Sequence, residues 1–483
     1  MQLDPIQCYE AIKARDARFD GRFFVGVSTT GVYCRPVCTA RTPGRDRCRF
    51  FAHAAAAEDS GFRPCLRCRP ELAPGAAPVD APRSAARWIV GRIESGAMND
   101  ADLESLAREY GLSSRQLRRA VVGEFGVTPV QLAQTRRLLL AKQLLTETRL
   151  PMTAVAHASG FSSVRRFNAL FGERYGLNPQ RFRRSSGESL ASEGVTLRLA
   201  YRPPLAWPDL RGFLVGRGAA GVEAAEGDRY LRTVSLEGRR GWITAAPVAA
   251  RNLLAVEISS ELVPVLAKLL PRLRRLFDLD AHPAAIAQTL AADARLAPMV
   301  AACPGLRVAG ALDGFELALR AVLGQQVTVK AATTLFGRFA RAFGDAAQTP
   351  HPALMYFAPQ AARVAEAPVQ QLIDLGLTQR RAQTVSDLAR AVAGGTLDLD
   401  GGTRIETALE RLLEIPGIGP WTAQYVAMRA LRDPDAFPSS DYGVMKALDV
   451  VRPAHAQQAA EGWRPWRAYG ALHLWRSLAF AGG

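Results

Sequence analysis

The sequence predicts a multidomain, mainly α chain: a small cysteine-rich α+β domain, a double helix–turn–helix domain, and a β-sheet subdomain leading into an all-α C-terminal domain. Three observations carry this expectation. Six of the seven cysteines fall in residues 1–72. Residues 85–184 hold two similar arginine-rich helical units. Residues 195–260 switch to the alternating or β-branched runs of strands, and helical periodicity returns from about 261 to the end. A length of 483 residues suits several domains rather than one.

Composition narrows the function class. Hydrophobic content of 48% supplies several cores, yet no run reaches the ~18–20 apolar residues of a membrane span. The opening MQLDPIQCYEAIKARD lacks a basic region followed by an apolar one, so a cytoplasmic protein without a membrane partner is expected. The net charge of +16 fits either an arginine-rich composition or a polyanion partner. Charge does not separate the two; motifs do.

The cysteines follow the pattern Cys34-x3-Cys38, a 26-residue gap, then Cys65-x2-Cys68. Two close pairs across one loop can supply four thiolates to a single tetrahedral Zn²⁺, which would also stabilise so small a domain. Cys8 and Cys48 lack partner spacing and read as structural. The segments TTGVYCRPVCTAR (29–41) and GFRPCLRC (61–68) closely resemble the N-terminal zinc domain of the Ada-type adaptive-response proteins of bacteria. That resemblance implies an irreversible methyl transfer from a methylated DNA phosphate to the first cysteine, here Cys34. It also implies backbone contacts from Thr30, Arg41, Arg63 and Arg67. Methylation would take a Zn(Cys)4 centre from formal charge −2 to −1, easing repulsion from DNA phosphates.

After the Ala/Pro-rich linker 73–84 come DLESLAREYGLSSRQLRRAVVGEFGVTP (102–129) and PMTAVAHASGFSSVRRFNALFGERYGLNP (151–179). Each reads helix, glycine turn, serine N-cap, helix, which is the spacing that lays a second helix in a major groove. The pair resembles the DNA-binding domain of AraC-type regulators, which implies transcriptional activation with RNA polymerase as a further partner. Candidate base readers on the second helices are Arg115, Gln116 and Arg118, then Arg165, Arg166 and Asn168, since Arg, Gln and Asn match base edges bidentately.

Past the polar linker 184–194, the sharpest signal is LEIPGIGPWTA (413–423). A helix should end at Ile415 and another begin near Pro420, with Gly417 and Gly419 free to take positive φ and to bring backbone close to a ligand. Amides at the new helix start can meet a phosphate, and the turn's carbonyls could hold a monovalent cation. This is helix–hairpin–helix grammar. Asp441 follows 22 residues after Gly419, at the start of the next helix in FPSSDYGVMKAL (437–448). An aspartate there can be only an N-cap, but hairpin, helix, loop and aspartate together resemble the helix–hairpin–helix glycosylase superfamily.

YRPPLAWPDLRGFLVGR, RLFDLDAHP, CPGLRVAGALDGFELALRAVLGQQV and WRPWRAYGALHLW narrow the likeness to the AlkA-type 3-methyladenine DNA glycosylase II branch, over about 196–476. It implies a β-sheet subdomain at 195–305, a helix–hairpin–helix domain at 306–483, and Asp441 as the catalytic carboxylate. Strand-nicking members carry a lysine at the position of Trp421, so water rather than an amine should displace the base. Trp421, Tyr425 and Trp475 should stack on a flipped, cationic base. Gln325 and Gln326 stand in the segment that normally wedges into the duplex, with Gln326 at the wedge position. The expectation is therefore one monomeric chain of four parts, 1–72, 85–184, 195–305 and 306–483, acting on double-stranded DNA. The competing reading is a regulator whose glycosylase half only binds DNA.

Overall fold

The computed structural model describes residues 4–75, 85–94, 96–99, 102–184, 194–248 and 251–480. Most of both linkers, 76–84 and 185–193, lies outside the described residues. The chain is multidomain and mostly helical, with two separate sets of strands. It divides into two compact units: Met1–Pro203 with Pro247–Pro271, and Pro204–Ala246 with Arg272–Gly483. This division runs through 195–305, the stretch that the resemblance implies as one subdomain. β5 (Gly194–Ala200) and β9 (Leu253–Ser259) fall in the first unit, while the stretch Pro204–Ala246 between them falls in the second.

In the first unit, β1 (Phe24–Val27), β2 (Val32–Cys34), β3 (Cys48–Phe51) and β4 (Arg63–Pro64) form a sheet in the order β3-β1-β2-β4. Gly26 is required at its centre, because a Cβ there would lie 2.8 Å from the Phe51 ring and 2.9 Å from that of Phe62. The parallel register Val32↔Arg63 and Tyr33↔Pro64 sets the end of β2 beside the end of β4. Cys34 and Cys65 thereby become neighbours.

The two helix–turn–helix units repeat almost residue for residue. Ser113 and Ser163 cap the second helices, Ser114–Phe125 and Val164–Tyr175, each 12 residues long. Leu117 and Val121 in one, and Phe167, Phe171 and Tyr175 in the other, are buried at four-residue intervals. That is the single apolar stripe of a helix packed on one face. The 19-residue helix Pro129–Glu147 connects the units. It meets the cysteine-rich segment through buried polar groups. Glu58 accepts from the Tyr33 hydroxyl at 3.0 Å and the Thr135 hydroxyl at 2.9 Å, with an Arg174 guanidinium nitrogen 3.9 Å away. Glu71 pairs with Lys142, and Arg69 bridges Glu71 to Glu147. β5 and β9 pair antiparallel with matched alternating burial.

In the second unit, β6 (Glu223–Glu226), β7 (Arg229–Leu236) and β8 (Arg239–Pro247) form an antiparallel meander. The β7–β8 turn is Glu237-Gly238, at φ 52° and 71°, as a two-residue type I′ hairpin requires. Glu223, Arg232, Glu316 and Arg320 form a buried network tying β6 and β7 to the helix Gly314–Leu323. No helix among the described residues is long and apolar enough to cross a membrane.

Burial raises the Glu58 carboxyl to about 7, outweighing the opposing pull of Arg174. A folded-state value above the unfolded one favours the protonated native form. That stability is present in full below pH 4.5 and is lost as pH rises through 7. The loss should be about 3 kcal/mol. Glu58→Gln should flatten the fall in melting temperature between pH 5 and pH 8; an unchanged slope would assign the dependence to another group.

Candidate functional site

The sulfurs of Cys34, Cys38, Cys65 and Cys68 all lie within 4.8 Å of one another. Hydrogen bonding among them splits their acidities, raising Cys34 and Cys68 and lowering Cys38 and Cys65. All four can be thiolates together only around a cation. This donor set fits zinc. Cys34 is buried at 7% exposure, while the other three are half-buried. Arg35, which sequence reading passed over, lies against the cluster. Its backbone N–H donates to the Cys68 sulfur at 3.3 Å, and its guanidinium, paired with Asp20, donates to the Cys68 carbonyl at 3.2 Å. Cys8 and Cys48 stay outside the set, and burial pushes the Cys8 thiol up to about 11. Thr30, Arg41, Arg63 and Arg67 are exposed in the same domain.

Arg115, Gln116, Arg118, Arg165, Arg166 and Asn168 are all exposed, on the same face of the two equivalent helices. Gln116 has a second task. Its side-chain oxygen accepts from the Ser113 backbone and hydroxyl, closing a capping box and leaving only its amide nitrogen outward.

The hairpin falls where the glycines predict it, between helices Ile405–Glu414 and Pro420–Arg429. Gly417 sits at φ 95°, and a Cβ there would meet the Thr384 hydroxyl at 2.1 Å. Gly419 differs from the expected positive φ. It is the N-cap at φ −101°, with open space where a Cβ would stand and no side-chain cap on the helix. Its use is therefore access rather than left-handed geometry. The turn's carbonyls already accept bonds: Pro416 from Thr384 at 2.8 Å and Gly417 from Gln325 at 3.0 Å. Gln325 also donates to the Thr422 hydroxyl at 2.9 Å. Its side chain thus braces the hairpin instead of reaching outward. Gln326 is exposed, at φ 55°.

Asp441 caps the helix Tyr442–Leu448. One carboxylate oxygen accepts from the Val444 backbone N–H at 3.0 Å and the Trp475 indole N–H at 2.8 Å. The other accepts from the Trp421 indole N–H at 2.9 Å. The structure thus brings together the carboxylate and all three predicted aromatics. Trp421 stacks on Tyr425 with centroids 5.5 Å apart and planes 13° apart, and Trp475 lies 6.2 Å from Tyr425.

Three further residues, Phe213, Arg217 and Arg429, gather beside Tyr425. Arg429 donates to the Tyr425 hydroxyl at 2.7 Å and anchors on the Ala309 carbonyl at 2.7 Å. Its guanidinium lies 4.9 Å from the Phe213 ring, and that of Arg217 lies 3.9 Å from the same ring. Burial alone would raise the Tyr425 phenol, but the positive charge of Arg429 and Arg217 prevails and lowers it. Burial likewise lowers Arg217. Sequence reading missed these three. The signal available was the Phe213–Arg217 spacing of four on one helix, which marks a shared face without naming what it faces.

Family models match four successive stretches: "Metal binding domain of Ada" over 7–71, "Helix-turn-helix domain" over 106–185, "AlkA N-terminal domain" over 196–313, and "HhH-GPD superfamily base excision DNA repair protein" over 319–464. The chain is 39% identical over 490 residues to the "Probable bifunctional transcriptional activator/DNA repair enzyme AlkA" of Mycobacterium tuberculosis, covering 99% of this chain and 97% of the relative. It is 36% identical over 277 residues to "DNA-3-methyladenine glycosylase 2" of Escherichia coli, covering 57% of this chain and 95% of that one. Among solved structures, the 3-methyladenine DNA-glycosylase of Archaeoglobus fulgidus shares the fold at TM-score 0.52 and 22% identity, over 59% of this chain and 98% of that one.

Gly417→Ala combines positive-φ strain with the Thr384 clash and should cost roughly 2–4 kcal/mol in denaturant unfolding. A loss below about 0.5 kcal/mol would mean that the hairpin relaxes freely around a side chain.

Proposed function

Because the chain belongs to the family of bifunctional transcriptional activator/DNA repair proteins of the AlkA type, we propose that it excises alkylated purines from double-stranded DNA and couples this to a methyl-accepting sensor and an operator-binding domain. The observation that carries the enzymatic half is Asp441, held by two indole N–H groups beside a hairpin that has Trp421 where a lysine would make a Schiff base.

The chemistry follows from these side chains. The hairpin's backbone amides at Gly417 and Gly419 meet the DNA phosphate, and Gln326 fills the place the flipped base leaves. Trp421, Tyr425 and Trp475 wall the base pocket. An alkylated purine already carries positive charge, so the C1′–N bond can break with its electron pair going to the base and no acid required. The anionic Asp441 carboxylate stabilises the oxocarbenium-like sugar until water adds to it. Its three donors hold it in place for electrostatic work. A monovalent cation at the turn would share the Pro416 and Gly417 carbonyls with Thr384 and Gln325.

For the sensor, Cys34, Cys38, Cys65 and Cys68 would hold zinc, which keeps sulfur as thiolate at neutral pH. The Cys34 sulfur takes the methyl carbon of a phosphotriester. The S–C bond forms as the C–O bond breaks, and the phosphate leaves as an ordinary diester anion. Thr30, Arg41, Arg63 and Arg67 would steady that backbone. Arg115, Gln116, Arg118, Arg165, Arg166 and Asn168 would read the operator, and RNA polymerase is the partner a promoter-bound activator needs. The proposed protein works as a monomer in the bacterial cytoplasm.

Asp441→Asn should keep affinity for duplex DNA containing N3-methyladenine but lose base release by about a hundredfold or more. Retained turnover would reassign the catalytic residue, and no release by the unaltered protein would leave the regulator that only binds DNA. After exposure to methylphosphotriester DNA, mass spectrometry should find one added methyl on Cys34. A methyl on Cys38 would overturn that assignment.

A further inference from the structure

The first strand beyond the polar linker is tied to the cysteine-rich segment at two points. Arg202 lies two residues past β5, inside the stretch matched as the AlkA N-terminal domain, and the chain enters the second unit at Pro204. Arg202 is only 1% exposed. Its Nε donates to the Asp20 carbonyl at 2.9 Å and its Nη2 to the Gly75 carbonyl at 2.7 Å. Gly21 lets these two segments meet, since a Cβ there would lie 1.9 Å from the Pro74 carbonyl oxygen. All four cysteines of the cluster sit on the loop between Asp20 and Gly75, so one guanidinium clips that loop shut. The Asp20 carboxylate also holds the buried Arg35 guanidinium, which donates to the Cys68 carbonyl, while the Arg35 backbone N–H donates to the Cys68 sulfur.

Arg198, within β5, reaches the same cysteine by a second route. β5 lies at the edge of its sheet, and side chains of the helix Pro129–Glu147 satisfy that edge. The Arg198 backbone N–H donates to the Glu147 carboxylate at 3.1 Å, and its carbonyl accepts from the Gln143 amide at 3.0 Å. Glu147 pairs at 3.0 Å with Arg69, the residue after Cys68, which stands at φ 55°.

We infer that Arg202 is a positioning residue of the cysteine centre, acting through Asp20 and Arg35 on Cys68, so that zinc retention and the docking of β5 strengthen each other. The inference rests on the zinc-sensor reading above and adds to it a residue from the stretch that opens the glycosylase part. A buried guanidinium is costly unless its donors are met. The acceptors of Arg202 are main-chain carbonyls that stand in place only when the cysteine segment is folded, and so small a segment depends on its metal for much of that fold. In the other direction, a loop already clipped at its ends loses less chain entropy when four of its side chains converge on one ion. Such coupling is reciprocal: the factor by which docked Arg202 tightens zinc is the factor by which zinc tightens the docking.

The test reads the zinc affinity of the full chain by competition with a chromophoric chelator. Arg202→Met should weaken zinc binding by about tenfold. Arg202→Lys, which keeps the charge but not the fork that spans two carbonyls, should weaken it less. Hydrogen exchange over 114–125 reports whether a variant has kept its fold, and unchanged zinc affinity in a folded Arg202→Met chain overturns the inference. The unaltered chain gives a second measure that needs no variant to fold. When zinc is withdrawn, the amides of 195–200 should exchange about tenfold faster, together with those of 32–34 and 63–68. Retained protection of 195–200 while the cysteine segments exchange freely overturns the inference. An equal rise over 114–125 overturns it as well, because the unit would then loosen as a whole rather than through Arg202. If the unaltered chain binds no zinc, the sensor reading fails first; if all variants bind it equally, that reading stands and only the role of Arg202 falls.

Discussion

A carboxylate with three N–H donors around it holds three helices in one arrangement. Asp441 accepts from Trp421 on Pro420–Arg429, from Trp475 on Arg467–Phe480, and from Val444 on its own helix. Each donor is carried by a different element, so the aromatic rings and the charge between them are positioned by the same set of bonds. Charge-assisted hydrogen bonds of this kind are roughly twice as strong as neutral ones. They also point the two indoles at the carboxylate, which fixes the rings as well as the charge. The N-cap and the carboxylate held by two indoles are therefore one geometry. The cap orients an oxygen that the indoles then hold.

The hairpin is built on the same economy. Gly417 lets the turn close onto Thr384, which bonds the Pro416 carbonyl, while Gln325 reaches in to the Gly417 carbonyl and to Thr422. Side chains from two other elements thus satisfy the turn from behind, and the open side at Gly419 is left for a ligand. In the first unit the corresponding constraint is the β2–β4 register, which turns two cysteine pairs distant in sequence into one cluster. Tyr33, next to Cys34, bonds the buried Glu58, which also binds Thr135 on the helix joining the two helix–turn–helix units. The cysteine-rich segment and the helix–turn–helix segment therefore share a buried polar contact as well as a chain. Breaking one partner of such a contact leaves a buried group unsatisfied, which is costly.

The pocket also corrects a simple picture of cation recognition. Three aromatics suggest electron-rich faces waiting for a positive base, but Tyr425 is stacked and hydrogen-bonded to an arginine, and Phe213 has two guanidiniums within 5 Å of its ring. The negative charge in the site is concentrated at Asp441, where the sugar cation would form. The positive charge gathers around Tyr425 and Phe213, where a base would depart. That separation suits a reaction that moves an electron pair from the sugar toward the base.

Asp441, the four cysteines, the serine caps and the hairpin were legible in the sequence because each is a local pattern. Metal ligands, N-caps and glycine turns depend on a few consecutive residues whose backbone geometry their own chemistry selects. The strands of 195–260 and both helix–turn–helix units were legible for the same reason, through period and punctuation. Tertiary structure alone decided which side chains meet across elements. It turned Gln325 inward to brace the hairpin, gave Gly419 an ordinary φ and an open face, and brought Arg35 to the cysteines and Arg217 and Arg429 to the aromatics. A lone arginine on a helix carries no mark of its partner, because the partner is chosen by packing between segments far apart in the chain.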